Sequence, residues 1–185
     1  MEQYLIRYNA LQLLLQIFIC CMILFAHLDI ISFFWVVMSI LSSQVVAILE
    51  IYNAIKGKTH SKPLTSFIQV SARIGVSLSL FFYFSEHPIW IMSLLGVSWA
   101  CSDIVRCAYY LKKESFTFAW ARYNFFIVLY PLGMSLENAI VWKLLQSNAP
   151  QPLLIFLPFL TAYIFVAVKM YRHMLWQRKA YGSFS

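Results

Sequence analysis

The hydrophobic positions of this chain do not alternate. They run on, in six stretches separated by short polar breaks. The stretches cover roughly residues 9–27, 30–55, 64–84, 89–111, 116–145 and 152–176. Each is close to the ~20 residues a helix needs to cross a bilayer. The breaks carry the polar and turn residues. His27-Leu28-Asp29 closes the first stretch, and Lys56-Gly57-Lys58-Thr59-His60-Ser61-Lys62-Pro63 follows the second. Ser85-Glu86-His87-Pro88 closes the third, Lys112-Lys113-Glu114-Ser115 the fourth, and Ser147-Asn148-Ala149-Pro150-Gln151-Pro152 precedes the sixth. A membrane barrel would need segments of about ten residues alternating apolar and polar, so the pattern predicts helices. The expected fold is all-α: a polytopic bundle of six transmembrane helices, residues 1–185 forming one membrane domain.

Composition agrees. Of 185 residues, 62% are hydrophobic and only 11% charged. That leaves too little polar surface for a water-soluble globule and excludes a disordered chain or a disulfide scaffold. No stretch remains for a soluble domain, so any chemistry must occur inside the bundle. Cys20, Cys21, Cys101 and Cys107 all lie in apolar runs without zinc-site spacing, which marks them as packing groups. The histidines lie in loops or near helix ends, and no metal site is expected. The first stretch lacks a small-residue cleavage site and reads as an uncleaved span.

Charge then orients the bundle. With a cytosolic N-terminus, the same side holds Arg7, Lys56, Lys58, Lys62, Lys112, Lys113, Lys169, Arg172, Arg178 and Lys179. The opposite loops hold Asp29 and Glu86, with Lys143 near one helix end. By the positive-inside rule both termini are expected in the cytosol. The net charge of +7 is a topogenic signal that also suits anionic lipid headgroups, and no nucleic-acid partner is needed to explain it.

Six ionisable residues fall where lipid should be: Glu50, Arg73, Asp103, Arg106, Arg122 and Glu137, with Gln69 and Tyr130 nearby. Each would cost at least about 2.5–3.5 kcal/mol at the bilayer centre. They are therefore expected to face inward and neutralise one another. The topology places Glu50, Gln69, Arg73, Asp103, Arg106 and Arg122 in the cytosolic half, with Tyr130 and Glu137 progressively deeper. The expected result is a polar funnel, basic at its mouth and apolar beyond, suited to an amphiphile with an anionic head and a long tail. Tyr130 and Glu137 are seven apart, so they share a helix face about 10 Å apart along the axis. A break at Pro131 is expected to re-aim that separation, and Gly133 to admit a close neighbour. Two proton carriers on one face resemble an acid–base site. The competing structural reading has the arginines snorkelling or pairing with Glu50 and Asp103, those two acids orienting rather than reacting, and Tyr130 serving as an ordinary buried aromatic.

The segment Arg122-Tyr123-Asn124-Phe125-Phe126-Ile127-Val128-Leu129-Tyr130-Pro131-Leu132-Gly133-Met134-Ser135-Leu136-Glu137 closely resembles the signature R-Y-x-x-F-x-x-L-Y-P-x-G-x-x-x-E of the very-long-chain 3-hydroxyacyl-CoA dehydratases, also called the protein tyrosine phosphatase-like A family. Tyr4-Leu5, Tyr8-Asn9, Leu49-Glu50, Leu64-Thr65, Gln69-Val70, Trp99, Asp103, Arg106, Tyr110 and the tail from His173 to Lys179 extend the likeness over nearly the whole chain. The resemblance implies a multi-pass endoplasmic-reticulum enzyme of fatty-acid elongation. It would convert long-chain (3R)-3-hydroxyacyl-CoA to trans-2-enoyl-CoA, and its implied neighbours are the condensing enzyme, the ketoacyl-CoA reductase and the enoyl-CoA reductase. It makes Tyr130 and Glu137 the catalytic pair, and Glu50, Gln69, Arg73, Arg106 and Arg122 substrate-binding or supporting residues, with Asp103 and Gly133 beside them. No cofactor is expected, because loss of water involves no net electron transfer.

Some positions depart from the family pattern. Asp103 stands for Glu, Asn53 for His, Cys107 for Tyr, and the Gly-Trp of the first span is absent. These departures motivate the rival expectation of a catalytically impaired paralogue that scaffolds elongation enzymes. No dilysine signal precedes the C-terminus, so residence in the endoplasmic reticulum is what the resemblance implies. A transporter is disfavoured by the one-sided charge and the lack of an inverted repeat.

Overall fold

The structure is a computed structural model describing residues 2–59, 62–83, 88–112, 114–146 and 157–182. Six helices account for nearly all of them: α1 (Glu2–His27), α2 (Phe33–Ile55), α3 (Pro63–Phe82), α4 (Ile89–Leu111), α5 (Phe116–Gln146) and α6 (Leu157–Gly182). Five of these, α1 to α5, are long and apolar enough to cross a membrane, and the chain is a multi-pass membrane protein by that measure. The start of the expected sixth span, residues 152–156, lies outside the described residues, as do residues 85–87 of the expected loop at 85–88 and the expected loop at 147–152.

Local chemistry sets the helix ends. α1 begins seven residues before the apolar run, since Gln3, Arg7 and Asn9 are compatible with helix although they lower hydropathy; Asn9 Nδ2 donates to the Leu5 carbonyl at 2.8 Å. Asp29, at φ 56°, turns the chain after α1. Ser32 then caps α2 by accepting from the Phe34 N–H at 3.3 Å, so the helix starts at Phe33 rather than at residue 30. Pro63 opens α3, where its missing N–H costs nothing. The expected break at Pro131 does not occur. α5 is one helix of 31 residues, and Pro131 is exposed on its outer surface. Tyr130 and Glu137 therefore lie on one uninterrupted helix.

The helices close a ring in the order α1, α2, α3, α6, α5, α4, with α3 also touching α5. One end is filled with hydrocarbon: Ile19 and Ile23 of α1, Val36, Val37 and Ile40 of α2, Val76 and Leu80 of α3, Met92 and Leu95 of α4, and Ile140 of α5. The other end is polar inside. On α1 a single buried stripe changes character partway, from Tyr8, Gln12 and Gln16 to Ile19, Ile23 and Ala26. The outside is apolar, with Leu14, Trp35, Phe82, Val128 and Trp142 exposed as lipid-facing groups would be.

Gly96 decides how closely α4 meets its neighbours. A Cβ there would stand 2.9 Å from Ile23 Cδ1 and 3.2 Å from Ile40 Cδ1, both buried. Gly96→Val is expected to lower stability by about 1–3 kcal/mol through overpacking. Gly96→Ala should cost less, because gained helix propensity offsets part of the clash. Thermal unfolding of both variants in detergent checks this.

Candidate functional site

The intramembrane charges form a chain of contacts rather than a scatter. Arg106, on α4, is bidentate to Glu50 on α2: Nη1 donates to Oε2 at 3.0 Å and Nη2 donates to Oε1. Its Nη2 also lies 3.3 Å from Asp103 Oδ1, one helical turn back. The other Asp103 oxygen accepts from Arg73 Nη1 on α3 at 3.0 Å. Two acids and two bases thus join three helices with no net charge. The structural reading of Glu50 and Asp103 as partners of the arginines is seen directly. The shorter arm of Asp103 still reaches both guanidinium groups.

Arg73 continues the chain inward. Its guanidinium lies over the Trp99 ring, 5.2 Å from the centroid. Trp99 in turn donates its indole N–H to Glu137 Oε1 at 2.7 Å, and both residues are buried, at 4% and 3% exposure. Gly133 is buried on the same side of α5, and a Cβ there would sit 4.0 Å from Trp99 Cδ1, an ordinary contact. Gly133 therefore leaves room for the indole without being sterically obligatory.

Tyr130, seven residues before Glu137, packs against the core cluster that contains Trp99. Its ring also stacks on Tyr171 of α6, with centroids 6.2 Å apart and 25° between planes; Phe126 meets the same Tyr171 at 5.4 Å. Gln69 of α3 donates to Met170 Sδ of α6 at 3.0 Å. Helix α6 thus closes one wall beside Tyr130.

Arg122 stands apart from the ion-pair chain. Among the described residues no carboxylate is within ion-pair distance of it. Its guanidinium lies over Tyr109 at 4.5 Å, Tyr110 at 4.8 Å and Tyr123 at 5.9 Å. At the same polar end, Lys58 sits over Tyr4 at 4.1 Å and Tyr52 at 5.1 Å, tying the start of α1 to the loop after α2. The expected gathering of charges therefore divides into a neutral chain (Glu50, Arg73, Asp103, Arg106), a deep pair on α5 (Tyr130, Glu137) and a separate aromatic-held cation (Arg122).

Several residues at the site were not singled out as site residues from the sequence. Trp99 enters only as part of the family likeness and Tyr171 carries no local signal, since tryptophan and tyrosine are common throughout this chain. Tyr8, Gln12 and Gln16 do carry one: three polar groups at four-residue spacing in an apolar run mark a buried face. Gln12 Nε2 donates to the Tyr8 hydroxyl at 3.1 Å, and Tyr8 lies within electrostatic reach of Glu50, Arg106 and Asp103. Asn53, one turn beyond Glu50, is fully buried with neither amide atom hydrogen-bonded among the described residues. Among those residues no cluster of His, Cys, Asp and Glu is suited to a metal.

The chain has relatives of known name. A family model described as protein tyrosine phosphatase-like protein, PTPLA, matches residues 44–183. A protein of Schizosaccharomyces pombe named probable very-long-chain (3R)-3-hydroxyacyl-CoA dehydratase is 33% identical over 161 residues, covering 74% of this chain and 70% of its own. The very-long-chain (3R)-3-hydroxyacyl-CoA dehydratase PASTICCINO 2 of Arabidopsis thaliana is 27% identical over 159 residues, covering 74% of this chain and 72% of its own. PASTICCINO 2B of Oryza sativa, of the same printed function, is 31% identical over 106 residues, and the match spans about half of each chain (54% of this one, 48% of its own). No solved structure matches.

The ion-pair chain makes its own prediction. Asp103→Leu leaves Arg73 with a lost partner inside the bundle and should lower the melting temperature in detergent by several degrees. Adding Arg73→Met should recover part of that loss, because removing both charges is cheaper than stranding one. A double variant no more stable than Asp103→Leu alone would show that the two residues do not act as a pair.

Proposed function

Given that the chain belongs to the protein tyrosine phosphatase-like PTPLA family of very-long-chain 3-hydroxyacyl-CoA dehydratases, we propose that it removes water from long-chain (3R)-3-hydroxyacyl-CoA inside its membrane bundle. The product is the trans-2-enoyl-CoA of fatty-acid elongation. We read the chain as a six-span protein of the endoplasmic-reticulum membrane, with both termini and the polar end of the bundle in the cytosol. The basic loop residues on that side support the orientation. The other elongation-cycle enzymes are its expected neighbours.

The observation that carries this reading is Glu137: a carboxyl 3% exposed, on the same α5 face as Tyr130, at the junction of the polar and apolar halves. Dehydration needs one group to take the C2 proton and another to protonate the departing 3-hydroxyl. The C2–H electrons form the C2=C3 bond, the C3–O bond breaks, and the oxygen leaves as water. Tyr130 and Glu137 share these two transfers in our reading. The thioester oxygen gains charge as C2 loses its proton, and nearby donors would stabilise it. The acyl chain extends toward the hydrocarbon-filled end of the ring. The nucleotide phosphates lie at the polar mouth, where Arg122 is the intramembrane arginine not already neutralised by a described carboxylate.

Tyr130→Phe and Glu137→Gln, purified in detergent and monodisperse, should each lose at least about 100-fold in kcat on a long-chain 3-hydroxyacyl-CoA, with enoyl product measured by mass spectrometry. Wild-type turnover by either variant would end its assignment. No turnover by the wild type at any chain length, with binding to elongation enzymes retained, would favour the scaffold reading that the Asn53, Asp103 and Cys107 departures motivate.

Arg122→Ala should raise KM for the CoA thioester by roughly 10- to 100-fold, the range for losing a charged hydrogen bond to phosphate. The matching 3-hydroxyacyl-pantetheine, which lacks the nucleotide, should be turned over equally well by wild type and variant. An equal effect on both substrates would separate Arg122 from phosphate recognition.

A further inference from the structure

Trp99 takes no part in the two proton transfers, yet it hydrogen-bonds Glu137. An indole offers one donor and no acceptor, so its N–H has a single use, and here that use is Glu137 Oε1 at 2.7 Å. With donor and acceptor both buried, water competes little for either group. The indole is itself fixed. Arg73 covers one face at 5.2 Å, α5 passes close at Gly133, and the hydrocarbon core surrounds the rest. Arg73 is anchored in turn by Asp103.

We propose that Trp99 is a positioning residue for the dehydration: its N–H fixes the Glu137 carboxyl, and the ion-pair chain through Arg73 fixes Trp99. The inference rests on the catalytic reading of Glu137. A glutamate has three side-chain torsions, the last of them broad, so an untethered carboxyl samples many orientations. Tying down Oε1 removes much of that freedom. The position of the carboxyl along α5 is set by the helix, but its orientation is set from α4. That division explains why a tryptophan, with a rigid donor at the far end of a large apolar ring, stands at this position: it reaches across a dry interface and carries no charge of its own into it.

The test replaces the N–H and nothing else. Incorporation of 3-benzothienylalanine at position 99 substitutes sulfur for the indole N–H in a side chain of nearly the same shape. The expected result is a kcat lower by roughly 10- to 100-fold, as for a misplaced catalytic group, with KM unchanged and a lower melting temperature from the lost hydrogen bond. Trp99→Phe should show the same kcat loss with a further loss of stability, since it also removes volume. Wild-type kcat in the sulfur isostere would overturn the proposal, and so would a raised KM with kcat retained. Glu137→Gln is run in parallel. If it is inactive while the isostere is fully active, the catalytic reading stands and Trp99 only packs; if it is fully active, the catalytic reading itself has failed. A readout independent of turnover is the ultraviolet resonance Raman difference between wild type and Glu137→Leu. It should report loss of one hydrogen-bonded indole N–H and vanish in a Trp99→Phe background. A null difference in the wild-type background would remove the bond on which the proposal stands.

Discussion

Charge cannot be left alone inside hydrocarbon, and this bundle is organised around that constraint. Glu50, Arg106, Asp103 and Arg73 balance one another across α2, α4 and α3. An isolated charge at this depth would be costly enough to shift the helix or expel the residue toward the interface. Paired, the four groups bring three helices into register at the polar end. The opposite end needs no such device, because Ile, Val, Leu and Met fill it. The protein therefore has an electrostatically tied end and a packed end, and the carboxyl of Glu137 lies where they meet.

That placement gives the site its character. The proposed dehydration, which builds charge on the thioester oxygen, would be helped by fixed dipoles in a buried setting. The residues that could provide such a setting are held from several helices. Tyr130 and Glu137 come from α5, Trp99 from α4, and Tyr171 from α6 against the Tyr130 ring. Distributing the supports over the ring means that no single helix sets the geometry, and that a shift of α4 or α6 would be felt at α5. Arg122 belongs to a different part of the design. Its guanidinium lies over three tyrosine rings, with no carboxylate at ion-pair distance among the described residues.

Much of this architecture is legible in the residues. Continuous apolar runs predict helices, and α2 to α5 lie within a few residues of the second to fifth stretches. The need to neutralise six embedded charges predicts that Glu50 and Asp103 meet arginines. Pro131 is the instructive exception. Proline in mid-helix removes a hydrogen bond and signals a break, but here the ring points outward and the chain continues as helix past it. The start of α1 differs from its apolar run for a related reason: hydropathy reports burial in lipid, not helicity, and Gln3 and Arg7 can be helical without being apolar.

One-dimensional rules suffice for a multi-pass helical bundle, for its polar and apolar ends, and for a phenol and a carboxyl on one face of α5. The pairings between helices needed three dimensions. No spacing along the chain brings Trp99 to Glu137, 38 residues away, or Tyr171 to Tyr130, because those contacts arise from the ring order of the helices and their rotation about their own axes. Nor could charge counting separate Arg122 from Arg73 and Arg106; each is one positive charge in an apolar run. Their surroundings differ because two of them find carboxylates across a helix interface and the third finds only aromatic rings among the described residues, and that is a property of packing, which local sequence does not encode.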